Sequence, residues 1–246
     1  MEDLFNQFSR IDIEDIQSWP RENLNILHRT VRLFASLLGG VDGFTSQLGE
    51  LVIQRTDTGL SLGLTYRGRI KFNARTALSA WTVLHEVAHA WDAKNDWAFS
   101  TGLLKYTGGF INKKLSVLKR FIPSQWDAGK LGPQKSPGHY GRKPGCNAVG
   151  YFYGDKPSGS NWNFNPKEDF AESLVMYCGW GRENELSRTA HGRIERYLLP
   201  NGARDPLYGI TDNWSDYAKF FHPKDGDYSK TKRWQFIDEL IQSRMN

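Results

Sequence analysis

The stretch from Trp81 to Asp92 reads W-T-V-L-H-E-V-A-H-A-W-D, and no other segment constrains the chain as tightly. His85 and His89 are four residues apart, so on an α-helix they lie on one face, about 40° apart and one turn above another. Their imidazoles can converge on one ion. Glu86 projects beside them, close enough to reach a water on that ion. H-E-x-x-H is therefore the pattern of two zinc ligands plus a general base. Leu84, Ala88 and Trp91 make the rest of the helix apolar or small, as a buried element requires. The plainer reading is a pair of solvated histidines in i,i+4 contact. It leaves His and Glu inside an apolar helix without partners, which is costly.

The periodicity around this stretch predicts an α+β chain. "PRENLNILHRTVRLFASLLGG" reads as a helix begun at Pro20 and ended by Gly39-Gly40, with Leu24, Leu27, Val31, Phe34, Leu37 and Leu38 in one apolar stripe. Strand-like runs follow at Leu51–Gln54, Leu60–Thr65 and Arg69–Asn73. "YRGR" between the last two reads as a hairpin turn in which Gly68 supplies positive φ. The helix bearing the histidines runs from about Thr76 to Lys94, and Leu103–Phe121 reads as another with a break at Gly108-Gly109. Residues 123–165 are rich in Gly, Pro, Ser and Asn, an irregular stretch of the kind that usually serves function. Helical patterns resume at Asn165–Tyr177, about Glu183–Leu198, near Trp214–Phe221 and at Lys232–Arg244. Helix, small sheet, then mostly helices is an α+β order. A single domain over 1–246 accommodates it: helix and small sheet in 1–75, the histidine helix region in 76–122, the irregular loop in 123–165 and a helical part from 166 onward.

Composition narrows the class. Charged residues are 24% and hydrophobic ones 39%, an ordinary globular balance. The net charge of +5 (32 basic less 27 acidic) comes without a dense Lys/Arg block, so nucleic acid is not an expected partner. No apolar run approaches the roughly 20 residues of a spanning helix. "MEDLFNQFSRIDIEDIQ" lacks the basic start and apolar centre of a secretory signal, so the expectation is a protein used where it is made or exported without a recognisable signal. Cys146 and Cys178 form no zinc or redox motif and are expected as free buried thiols, with a disulfide as the alternative.

A catalytic zinc needs three protein ligands and one open position. In H-E-x-x-H-x-x-G-x-x-H the third is a nearby histidine, but here the corresponding positions are Asp92 and Asn95. The ligand must come from a distance. "NPKEDFAESLVMY" is the best source. Asn165 is a good N-cap, Pro166 suits the first helical position, and Glu168 and Glu172 fall four apart on one face. Glu168 would bind the metal, and Glu172 would accept the free ring N–H of a ligand histidine. Glu168 also stands three residues after Asn165, where it would complete a capping box. His139 and His191 are the competing ligands.

"HEVAH" followed at a distance by "NPKEDFAES" resembles the gluzincin metallopeptidases, in particular the family of the anthrax lethal factor catalytic domain. There a His-Glu-x-x-His helix is followed by one of the form Asn-x-x-Glu-x-Phe-Ala-Glu. The resemblance covers two short segments. It implies Zn2+ as cofactor, Glu168 as third ligand and Glu86 as general base. It also implies a zincin-like fold: a small, twisted, mostly antiparallel sheet whose edge strand binds extended peptide beside the active-site helix. "GRIKFNA" stands where that edge strand would be. The family's oxyanion-stabilising Tyr, seven residues before the ligand Glu, is replaced here by Asn161. Tyr151 and Tyr153 in "GYFYG" are the nearest substitutes and Tyr140 a third.

The reading that follows is a zinc endopeptidase acting on a peptide or protein substrate. Two rivals are a zincin-like module that binds a partner without catalysis, and a metal-dependent hydrolase of a non-peptide amide.

Overall fold

The computed structural model describes residues 7–59, 61–108, 110–111, 151–152, 166–180 and 231–245. Strand β1 (Ile11–Ile13) leads through a short 3-10 turn to helix α1 (Arg21–Leu37) and helix α2 (Val41–Leu48). Strands β2 (Leu51–Thr56), β3 (Gly63–Tyr66) and β4 (Arg69–Asn73) follow, then helices α3 (Ala80–Lys94) and α4 (Ala98–Tyr106). Strands β5 (Phe110–Ile111) and β6 (Tyr151–Phe152) form a separate antiparallel pair. The last described elements are helices α5 (Pro166–Trp180) and α6 (Lys232–Met245). The expected helices at Glu183–Leu198 and Trp214–Phe221 lie outside the described residues. No helix among the described residues is long and apolar enough to cross a membrane.

The main sheet has four strands in the order β1-β2-β4-β3. β1 and β2 are parallel, β2 and β4 are parallel, and only β3 and β4 are antiparallel. The sheet is thus mixed, not mostly antiparallel. Its cause is the connection through α1 and α2, since a helical crossover returns the chain in the same direction. A second correction follows from the strand order. Arg69–Asn73 is an interior strand, paired on both sides, and the edge beside α3 is β3. Burial agrees, with Ile70 and Phe72 of β4 fully enclosed while Leu64 and Tyr66 of β3 stand open to solvent. The hairpin turn is where "YRGR" puts it. Arg67 and Gly68 take φ of 48° and 76°, the left-handed pair of a tight β-hairpin.

The apolar stripe of α1 is buried in full, from Leu24 to Leu38. Gly39, at φ 84°, ends that helix, and the Gly40 N–H donates to the Ala35 carbonyl at 2.8 Å, satisfying an otherwise orphaned helix-end acceptor. α3 starts later than its periodicity suggests because Ser79 caps it, its Oγ accepting from the Thr82 N–H at 3.1 Å. The expected helix over Leu103–Phe121 begins earlier and breaks before Phe110, and residues 112–121 lie outside the described residues. α4 begins at Ala98 and ends at Tyr106, and the chain is extended at Phe110–Ile111. The early start is due to Asp92, whose Oδ1 accepts from the N–H groups of Phe99 and Ser100 at 3.0 and 3.2 Å and so caps the α4 first turn.

α3 is the central helix. It lies against β3 and β4 on one side and against α1 and α5 on others. Trp91, fully enclosed, stacks with Phe34, Phe99 and Phe170 at ring distances of 5.4, 4.7 and 6.1 Å, joining α1, α3, α4 and α5 in one core. Cys178 of α5 is a free buried thiol, and burial pushes its pKa up. Cys146 lies outside the described residues.

Candidate metal centre

α3 and α5 bring four of the sequence-derived site residues together. His85 Nε2 and His89 Nε2 are 3.0 Å apart, so the i,i+4 spacing converges both rings on one point. Glu168 faces that point from α5, with Oε2 at 3.2 Å from His85 Nε2 and Oε1 at 3.5 Å from His89 Nε2. Glu172, one turn further along α5, places Oε1 at 3.4 Å from His85 Nδ1. That contact is long for a hydrogen bond, and His85 Nδ1 is a buried nitrogen without a well-aligned acceptor.

The donor set suits zinc. Two ligand atoms at about 2.0–2.1 Å from a tetrahedral ion stand roughly 3.3 Å from each other. The two ring nitrogens at 3.0 Å, and the distances from His85 to Glu168 Oε2 and from His89 to Glu168 Oε1 at 3.2 and 3.5 Å, lie near that length, each ring facing a different carboxylate oxygen. One ligand atom from each of His85, His89 and Glu168 lies within 4.8 Å of the others, the one such group among the described residues. The side chains of His85, His89 and Glu168 retain 13%, 11% and 19% of their exposure, so the cluster is mostly but not fully enclosed.

Electrostatics couple the two helices. Burial alone would lower the His85 pKa, but the Glu168 and Glu172 carboxylates outweigh it and raise the pKa well above 6.5. Burial likewise would raise Glu168, yet His85 and His89 together hold it well below 4.5. His85 and Glu168 are thus coupled, each shifted toward its charged form, with a proton held on His85. Zinc would take the place of that proton.

Glu86 is buried, at 5% exposure, on the flank of α3 turned toward β3. Its Oε2 accepts from Thr65 Oγ1 at 2.6 Å. α5 is fixed from behind by a buried pair that the sequence does not reveal. Arg233 of α6 donates from Nε and Nη2 to Asp169 Oδ1 and Oδ2, each at 2.7 Å. Asp169 adjoins Glu168 in sequence, so the pair sets where the ligand helix lies. Thr65 and Arg233 carry no local pattern that marks them. Only the approach of β3 and α6 does.

The other candidates lie in β6 or outside the described residues. Tyr151 lies in β6, its backbone paired with Ile111. Tyr153, Tyr140, His139, His191 and Asn161 lie outside the described residues, as does the Asn165 cap. The fold and site define an α+β domain with a His-His-Glu cluster of metal-ligating character. No protein-family profile, curated protein or solved structure matches the chain.

Proposed function

We propose that the chain is a zinc-dependent endopeptidase of zincin type, with His85, His89 and Glu168 as ligands. The observation that carries the reading is the convergence of an H-E-x-x-H helix and a glutamate from a second, sequence-distant helix on one partly open point. Zinc held there would act as a Lewis acid, lowering the pKa of a water and polarising the scissile carbonyl. Glu86 would serve as general base toward the attacking water and then as proton donor to the leaving amine. Its burial supports this role, because a purely structural site has no use for a carboxylate beside its ligands. Glu172, with Oε1 at 3.4 Å from His85 Nδ1, stands where it would accept that ring N–H and leave Nε2 to the ion.

The substrate is a peptide or protein segment that adds to β3. That strand borders α3 and, among the described residues, has one unpaired edge in the main sheet. Its outward residues Leu64 and Tyr66 are exposed at 47% and 68%, an apolar edge suited to accepting another strand.

The test is a pair of substitutions assayed for zinc content and for cleavage of a mixed peptide library. Glu86→Gln should keep its zinc and lose roughly 10²–10⁴-fold in rate. Glu168→Ala should lose zinc. A Glu86→Gln protein as fast as the parent overturns the mechanism, and full zinc in Glu168→Ala removes Glu168 from the site.

A further inference from the structure

Strand β3 touches the site with one hydroxyl. Thr65 Oγ1 lies 2.6 Å from Glu86 Oε2 and 3.1 Å from the Glu86 main-chain oxygen. A hydroxyl has one proton to give. The shorter distance assigns it to the carboxylate, at the length of a charge-assisted bond. Among the described residues no other side chain hydrogen-bonds the Glu86 carboxylate. Thr65 is β-branched and sits in a strand, so its side chain is confined and little freedom is lost in aiming the hydroxyl.

Gly63 stands two residues earlier, on the same face of the strand. A Cβ there would lie 2.6 Å from Glu86 Cγ and Oε1 and 2.7 Å from Cδ. The glycine serves clearance, since it has no positive φ to require it. The Glu86 carboxylate therefore rests on the bare backbone of β3 at Gly63 and is tied to it at Thr65.

We infer that Thr65 is a positioning residue for Glu86: its hydroxyl holds one carboxylate oxygen against the edge strand and fixes the rotation of the carboxyl group, while Gly63 keeps the space that group occupies. The catalytic consequence rests on the peptidase reading above. The contact itself does not. A base held this way meets the reacting water in one orientation, and that orientation is set by the strand to which the substrate adds.

The experiment uses the full chain loaded with zinc. On a peptide that the parent cleaves, Thr65→Val should lower kcat about tenfold, with KM and zinc content unchanged. Such an effect is the size expected for losing orientation of a base rather than the base itself. Thr65→Ser, which keeps the hydroxyl, should restore most of kcat. Gly63→Ala should lower kcat at least as far as Thr65→Val. A second measurement needs no activity: urea unfolding of Thr65→Val, Glu86→Leu and the double variant. Contacting residues are non-additive, so the double variant's unfolding constant should depart roughly fivefold or more from the product of the single effects. Parental kcat in Thr65→Val, a Thr65→Ser as slow as Thr65→Val, or additivity in the cycle each overturns the inference. If the zinc-loaded parent cleaves no peptide, the peptidase reading falls, and the cycle alone decides: additivity refutes the Thr65 tether and non-additivity upholds it.

Discussion

Asp169→Asn tests whether burial sets the worth of the pair that anchors the ligand helix. The change keeps the volume and removes one charge. Asp169 and Arg233 are 1% and 4% exposed. The guanidinium fork donates to both carboxylate oxygens at 2.7 Å, and Ser173 Oγ adds a third contact at 3.3 Å. Asparagine offers the fork one acceptor and turns an NH₂ toward the other guanidinium N–H. One charge-assisted bond, worth about 1.5–3 kcal/mol, is lost. The buried guanidinium loses the carboxylate at its fork, and breaking such a pair costs about 3–5 kcal/mol in all. The ion pair between Arg69 and Glu14 is the control. Its side chains are 44% and 35% exposed, so Glu14→Gln should cost less than about 1 kcal/mol. Urea unfolding of the metal-free protein measures both. A loss under about 1 kcal/mol in Asp169→Asn would put the two pairs on the same footing and refute the argument from burial. Replacing both partners by apolar residues, Asp169→Leu with Arg233→Met, should recover most of the loss.

Two further outcomes follow from the core and from titration. Phe170 is fully enclosed between Trp91 and Phe99, with ring distances of 6.1 and 5.7 Å, so Phe170→Ala should cost about 3–5 kcal/mol in urea unfolding; less than about 1.5 would mean that the three-helix junction closes over the gap. In the metal-free protein the raised His85 pKa contributes stability that is complete below 6.5 and lost as pH rises through the folded value. Glu168 has the opposite sign, its contribution complete above 4.5 and lost as pH falls through its lowered value. The metal-free Tm should therefore fall on the alkaline side. Zinc displaces the His85 proton, so zinc binding should strengthen over the same rise in pH. A metal-free Tm that climbs steadily from pH 6.5 upward would contradict the His85–Glu168 coupling.

What the sequence discloses and what it hides divide along a physical line. The α1 stripe, the Arg67-Gly68 turn and the two histidines on one helix face are local periodicities, and each lies where its spacing puts it. β1 and α2 are three and eight residues long, too short for a period to stand out. The strand order is a matter of non-local pairing. "RIKFN" looks the same whether it lies at an edge or inside, and only the return of β2 beside β4 makes it interior. α4 is missed at its start because its first-turn donors are capped by Asp92, seven residues before Phe99. Glu168 was ambiguous between cap and ligand because both roles need the same residue at the start of a helix. The separation to His85 and His89 bears on the ligand role and is a tertiary fact.

The polarity of α5 carries the metal argument one step further. Glu168, Asp169 and Glu172 are three carboxylates within five residues, and Asp169 and Glu172 are almost fully enclosed. Burying charge without compensation costs several kcal/mol per ion. The helix N-terminus helps, but its dipole offsets only about 0.3–1 kcal/mol per group. Arg233 pairs with Asp169, while the Glu168 and Glu172 carboxylates are directed at the histidine pair. A proton shared by His85 cancels one of them. A divalent cation would cancel both, with each imidazole neutral and Glu172 accepting the His85 ring N–H. Zinc at this cluster would balance both carboxylates, where one proton balances a single one. That is why the same two glutamates that look like ordinary helix-start residues in the sequence form the acidic side of the site.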